Sequence, residues 1–398
     1  MPKILRIINR FNLGGPTYNA VNLTRDLSPE FETMLVGGTH APGEESSLFI
    51  AENAGLDPLI IGEMSREVNP LKDWSAYKKI CDLIKRFRPD IVHTHASKAG
   101  LLGRMAAQAC KTPVVVHTFH GHVFHSYFNP AKTAFFKQIE RYLASKSSAI
   151  VAISEIQKKE LSVDHRICQP EKIRVIPLGL DLERFMTGQE EKRNRFRTQY
   201  GLGENDVAVG IIGRLAPVKN HAFFLKVASL TLQSGNNNLR FVVVGDGETK
   251  SAIRQLCDEL GLTWCEGKPA KGTRPQVIFT SWMKDADVAL AGVEIAVLTS
   301  LNEGTPVSLI EAQAACKPVI STEAGGVANV VAHGKSGYVV SQGDIPEFAR
   351  HLQELASSAS QRAAFGTAGR KISIEKFGHL RLAGDMSALY HELLSVSP

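Results

Sequence analysis

Several things are scarce in this 398-residue sequence, and each scarcity closes off a class of protein. No apolar run approaches the roughly 20 residues that span a bilayer, so no membrane-crossing helix is expected. The six cysteines (Cys81, Cys110, Cys168, Cys257, Cys265 and Cys316) are scattered and form no Cys-x-x-Cys pair, which points to a reduced, cytoplasmic protein. A Gly-x-Gly-x-x-Gly dinucleotide fingerprint is missing, which disfavours an NAD-dependent oxidoreductase. Repeats and low-complexity tracts are absent too. The opening MPKILRIINRF has apolar character, but Arg6, Asn9 and Arg10 interrupt it and no small-residue cleavage site follows. It reads as a first strand rather than a leader.

What remains is ordinary globular material: 43% hydrophobic and 22% charged residues, enough for two cores at this length. The net charge of +6 is unevenly shared, residues 1–185 carrying 24 Lys and Arg against 19 Asp and Glu. The excess concentrates in residues 97–150, with seven basic residues and a single acid, Glu140. Such a bias suits nucleic acid, an anionic membrane or a phosphorylated substrate, and equally a solvated surface.

Strand-like runs (Ile4–Ile8, Glu32–Val36, Pro58–Ile61, Ile91–Thr94, Val114–Thr118, Ala149–Ile153) alternate with helix-like ones such as Leu71–Phe87 and Lys98–Cys110. A second alternation begins after Asp181, with strands at Val207–Ile212, Arg240–Val244, Val277–Phe279, Ile295–Leu298, Val319–Ser321 and Tyr338–Val340. This pattern predicts an α/β protein built of two Rossmann-like domains with parallel sheets facing a central cleft. The domains expected are 1–185, joined by a returning helix at about 378–398, and 186–377. The apolar-poor stretch Thr187–Gln199 reads as the linker.

Strand ends carry the chemistry in such folds. Gly14-Gly15-Pro16 follows the first strand and lets backbone approach an anion at a helix N-terminus. HTFHGHVFHSYF places His117, His120, His122 and His125 beyond another strand, and His93 and His95 repeat the His-x-His spacing. With no nearby cysteine and no His-Glu-x-x-His helix, metal ligation is disfavoured; His120, in the loop, reads as a hydrogen-bonding group, whereas His93 and His117 lie within their strands and read as buried structure. Gly213-Arg214-Leu215 with Lys219 offers a guanidinium fork and a point charge to a diphosphate. Asp285-Ala286-Asp287 has a metal-binding spacing but opens a helix-like run, where acids cap N-termini routinely. Thr299–Val327 holds two carboxylates, Glu303 and Glu311, around a Gly-Thr-Pro-Val turn.

NEGTPVSLIEA followed by PVISTEAGG resembles the Glu-x7-Glu motif of retaining GT-B glycosyltransferases of family four. GRLAPVKN, VVVGDGE, NLGGP and VHTFHGHVF extend the match over both halves, in the family's order. The resemblance implies that Glu311 grips the nucleotide ribose. It implies that Glu303 meets the donor sugar, with the turn Gly304, Thr305, Pro306 and Val307 nearby, whose N–H groups come from the residues other than the proline. Arg214 and Lys219 would bind the diphosphate, Gly14 and Gly15 would close over it, and His120 would bond the sugar near its reacting carbon. Cys316 departs from the pattern, since the family has glycine at this helix end, where positive φ is favoured.

The expected reaction is transfer of a sugar from a nucleoside diphosphate, UDP first, to an acceptor hydroxyl with retention. No cofactor and no metal are expected, because Arg214 and Lys219 can offset the leaving-group charge. Among acceptors the resemblance allows glycans and lipid-linked sugars, with His95 and Lys98 as candidate acceptor residues. The aromatic, basic stretch with Phe124, Tyr127, Phe128, Phe135 and Phe136 suits an anionic membrane's inner face, so the protein is expected in the cytoplasm or peripheral on that face. Nucleic acid is not an expected partner. The alternative left open is a non-hydrolysing UDP-sugar epimerase of the same fold.

Overall fold

The computed structural model describes the chain except residues 13–14, 40–45, 66, 68, 121–129, 234, 236–237 and 397–398, and the side chains of 130–132. Two compact units emerge: Met1–Asp181 with Phe377–Pro398, and Leu182–Lys376.

The first unit alternates β1 (Lys3–Arg10), α1 (Gly15–Asp26), β2 (Glu32–Gly38), α2 (Leu48–Asn53), β3 (Leu59–Ile60), α3 (Pro70–Phe87), β4 (Ile91–His95) and α4 (Ser97–Ala109). It continues through β5 (Val114–Phe119), α5 (Pro130–Lys146), β6 (Ala149–Ala152), α6 (Glu155–Lys159) and β7 (Ile173–Val175). Its sheet order is β3-β2-β1-β4-β5-β6-β7, and every pairing is parallel. Strands covered by helices on both faces are apolar throughout, which is why Val114-Val115-Val116 is wholly buried. Helix ends follow local chemistry. Asn69 caps α3 by accepting from the N–H groups of Leu71 and Lys72 at 3.2 and 3.1 Å, Pro70 sits at its start, and Arg88 closes it at φ 53°.

In the second unit α7 (Gln189–Gln199) leads into β8 (Val207–Ile212), α8 (His221–Leu232), β9 (Leu239–Val244), α9 (Lys250–Glu259), β10 (Trp264–Glu266) and β11 (Val277–Ser281). Then come α10 (Ala286–Gly292), β12 (Ile295–Leu298), α11 (Val307–Ala314), β13 (Val319–Thr322), β14 (Gly337–Val340), α12 (Ile345–Ser357) and α13 (Ala359–Phe377). The order β10-β11-β9-β8-β12-β13-β14 repeats the doubly wound plan, again wholly parallel.

A last helix, α14 (His379–Ser395), returns to the first unit and packs on α1. Leu382, Met386, Leu389, Tyr390 and Leu393 join the core formed with Ile4, Leu23, Ile91 and Val116.

The stretch expected as a linker is corrected by the structure. Residues 189–199 form α7, fixed by Phe196, which is fully buried. A Cβ on Gly292 of α10 would lie 2.1 Å from the Phe196 ring, so that glycine is what lets the two helices meet. Arg197 then bonds the carbonyls of Gly292 (3.2 Å) and Asp206 (2.9 Å).

Candidate functional site

In each sheet the strand order reverses between two neighbours, β1/β4 and β8/β12. Doubly wound folds bind ligands beyond the carboxyl ends of such pairs.

At the second unit's reversal, the turn after β8 and the loop after β12 are tied together. The Leu301 N–H donates to the Val218 carbonyl at 2.8 Å, and the Thr299 hydroxyl donates to the Lys219 and Asn220 carbonyls at 2.9 and 3.1 Å. Across this seam the Lys219 ammonium lies 2.6 Å from Glu303 Oε1, which also accepts from Ser300 Oγ at 2.6 Å. Glu303 is thus aimed by two donors. The Lys219 stem runs over Gly213, where an added Cβ would lie 3.8 Å from Lys219 Cε. Arg214, beside it, is 71% exposed and rests on Glu248 at 3.0 Å. Such an exposed pair gives way readily to a stronger anion.

Glycines set the loops at close quarters. A Cβ on Gly245 would fall 1.9 Å from the Gly213 carbonyl, one on Gly325 1.9 Å from the Glu303 carbonyl, and one on Gly326 1.8 Å from the Gly304 carbonyl. The Gly326 N–H bonds the Glu303 carbonyl at 3.1 Å. This support of the Glu303 loop by the turn after β13 had no counterpart in the reading of single residues.

Gly304, Thr305 and Pro306 lead into α11, which opens at Val307 without a side-chain cap. Its first N–H groups therefore face outward, a setting that favours anionic oxygens. One turn on, the largely buried Glu311 accepts no hydrogen bond from the described residues. Burial pushes its carboxyl up to about 7, opposed by Arg184 and reinforced by Asp287. Arg184 Nη2 stands 3.8 Å from Glu311 Oε1 with its guanidinium over the Phe185 ring. The sequence held no local signal for Arg184, which a short turn far earlier in the chain brings here. Asp285 and Asp287 are answered by α7: Arg195 at 3.5 Å and Lys192 at 2.9 Å. Among the described residues no group of three or more His, Cys, Asp or Glu is placed to hold a metal ion.

In the first unit, Gly15 starts α1 with nothing within 4 Å of where its Cβ would be, so packing does not demand a glycine there. Gly14 lies outside the described residues, as do His122 and His125. His93, His95 and His117 are fully buried in β4 and β5. His120 follows β5 with its Nε2 2.8 Å from His95 Nδ1, and desolvation lowers its pKa to about 4, so it is neutral. Lys98 places its ammonium 2.5 Å from Asp73. Within the basic stretch Glu140 turns inward to the buried Arg104 at 2.6 Å, while Lys111 and Lys146 stay exposed.

The chain is similar to known proteins in sequence and in fold. The profile for "Glycosyl transferases group 1" matches residues 192–372, and that for "Glycosyltransferase Family 4" matches 14–184. An Escherichia coli protein named UDP-Gal:alpha-D-GlcNAc-diphosphoundecaprenol alpha-1,3-galactosyltransferase is 31% identical over 293 residues, covering 73% of this chain and 72% of its own. The Staphylococcus aureus capsular polysaccharide biosynthesis glycosyltransferase CapM is 25% identical over 84% of this chain and 85% of its own. Among solved structures, Anabaena Alr3699/HepE in complex with UDP superposes with a TM-score of 0.80 at 18% identity, covering 98% of this chain and 100% of that one. The two seven-stranded parallel sheets are those of the GT-B fold. The chain belongs to the group 1, family four glycosyltransferases.

Proposed function

We propose that this glycosyltransferase moves a sugar from UDP to a hydroxyl of a lipid-linked sugar, with retention of anomeric configuration and without a metal ion. One observation carries the donor site: Glu311, enclosed and without a hydrogen-bond donor among the described residues, stands one turn into a helix whose first N–H groups face outward, on the loop that also holds the Lys219–Glu303 pair. A carboxylate so placed suits two vicinal ribose hydroxyls, and the open helix start suits a diphosphate. The uridine reading is supported by the UDP in the Anabaena structure and by the donor in the E. coli relative's name. That name also supports a diphosphoundecaprenol-linked acceptor.

In this reading Arg214 leaves Glu248 for the departing diphosphate, and Lys219 joins it. Preorganised charge at a leaving group is commonly the largest catalytic contribution. Glu303 holds the sugar hydroxyls, His120 bonds the sugar near its reacting carbon, and the leaving phosphate takes the acceptor's proton on the same face. Arg214→Ala is expected to lower kcat on the order of 10²-fold or more, and wild-type turnover would sink the diphosphate role. Full activity in EDTA is expected. Proton NMR of the first-formed product reads its anomeric configuration directly, and an inverted product would overturn retention.

A lipid-linked acceptor calls for the protein to meet a membrane. Helix α4 packs between α3 and α5. Together these helices expose Leu71 (84%), Trp74 (56%) and Phe135 (63%) amid the exposed Lys72, Lys78, Lys85 and Lys146. Aromatic and basic groups on one helical layer suit shallow docking on anionic lipid. Phe124, Tyr127 and Phe128 lie outside the described residues, as does the Lys132 side chain. Flotation with anionic but not neutral vesicles is expected, and its loss in Trp74→Ala/Phe135→Ala tests the surface.

A further inference from the structure

Four side chains under His120 form a buried line whose proton positions can be worked out one after another. Arg6 can only donate, and it reaches Thr24 Oγ1 at 2.9 Å and the Tyr390 hydroxyl at 3.1 Å. The Tyr390 oxygen accepts from Arg6, and its own proton, with no other acceptor among the described residues, turns to His93 Nδ1, 2.6 Å away. His93, held neutral by burial and by the nearby Arg6, then carries its proton on Nε2 and donates to Thr118 Oγ1 at 2.8 Å. Its ring lies 4.1 Å, centroid to centroid, from that of His95, which fixes the plane of the next ring.

Between His95 Nδ1 and His120 Nε2, 2.8 Å apart, lies one proton, because both rings are neutral. Two arrangements are possible. If His120 gave it, His95 would keep its own proton on Nε2, which is buried and has no partner among the described residues. If His95 gives it, the atom left alone at Nε2 is a bare lone pair. Orphaned N–H donors are rarer in proteins than under-used acceptors, and leaving one unmade carries the full desolvation cost.

We infer that His95 is a positioning residue: it donates from Nδ1 to His120 Nε2 and so locks His120 in the tautomer that carries its proton on Nδ1. The Nδ1–H, which meets no acceptor among the described residues, is then the group offered to the donor sugar. This deepens the reading of His120 given above and rests on it for its catalytic meaning. A histidine free in water prefers its proton on Nε2, so the arrangement has to be imposed by the protein, and His95 is the residue that imposes it.

Long-range proton–nitrogen NMR of the full chain labelled with nitrogen-15 histidine tests the tautomer without any turnover. A His120 signal with protonated Nδ1 and bare Nε2 is expected; protonation on Nε2 would overturn the inference. Kinetics give the second arm. His95→Leu is expected to lower kcat about 10- to 100-fold with the donor KM nearly unchanged. His95→Asn, whose amide N–H falls close to the imidazole Nδ1 position, is expected to restore most of the loss. An asparagine variant no better than leucine, or a leucine variant as fast as wild type, would overturn it. Should His120→Ala keep full activity while the wild-type tautomer is as stated, the sugar-contact reading falls and the positioning stands.

Discussion

Glu311, proposed above to bind the ribose, carries a cost in the free protein. Its carboxyl is raised to about 7 by burial, above the 4.5 of an ordinary glutamate. The folded state therefore prefers the protonated form, and the associated stability is present at low pH and lost as pH rises through 7. Glu311→Gln cannot ionise, so it is expected to raise Tm by roughly 2–6 °C at pH 8 and to change it little at pH 4. The same exchange is expected to weaken UDP binding about 10-fold or more in calorimetry, since an amide presents one acceptor where the carboxylate has two. Unchanged affinity would remove Glu311 from the ribose. Cys316 is the other instructive residue. It ends α11 at φ 62°, with its N–H on the Gln313 carbonyl and the Lys317 N–H on the Ala312 carbonyl, both at 2.9 Å. That is a Schellman ending, which favours glycine. Cys316→Gly relieves the left-handed strain but loosens the unfolded chain, so a net gain of about 0.5–1 kcal/mol in denaturant unfolding is expected. A lower midpoint would show the strain to be absent.

Among elements, the turns after the strands hold the site more than the strands do. Gly326 lies so close to the Gly304 carbonyl that any side chain must push the Glu303–Thr305 loop away. Gly326→Ala is expected to leave the second unit folded by circular dichroism while raising the donor KM about 10-fold or more; a normal KM would mean the loop adapts. The same scale explains what the sequence made readable. Central strands such as Leu239–Val244 are buried on both faces and therefore run apolar. β7 and β10, three residues each at sheet edges, have no such run, and both went unseen. α7 hid because Phe196 alone supplies its buried apolar contact among QEEKRNRFRTQ. The Glu303–Glu311 spacing was legible because it lies within one loop and one helical turn. Arg184 beside Glu311 was not, and neither was the line from Arg6 through Tyr390 to His93, because tertiary folding alone makes these neighbours.

For the molecule as a whole, buried histidines set the acid limit. His93, His95, His117 and His120 in the first unit and His221 in the second all have lowered pKa values, chiefly through desolvation. Unfolded, each binds a proton below about 6.5, so stability is full above that pH and falls as pH drops toward the folded values. Each contributes a slope of about 1.4 kcal/mol per pH unit inside its window. A steep fall in Tm between pH 6.5 and 4 is expected, and a flat Tm from pH 7 to 5 would show these rings to be solvated.

The returning helix α14 has a consequence for how the chain is made. Tyr390 sits at the centre of the first unit's buried network, and the segment is stitched in by the Leu180 N–H to the Phe377 carbonyl at 2.8 Å and the His379 N–H to the Leu180 carbonyl at 3.0 Å. The second unit, Leu182–Lys376, is contiguous, so all of its residues have been made before Phe377–Pro398 follow. The first unit, although begun earlier, lacks a wall of its core until Phe377–Pro398 emerge. A chain stopped at Lys376 is accordingly expected to yield a protease-resistant second unit beside a digested first one. Synthesis and folding then run in opposite orders: the first unit to be translated is the last to be completed.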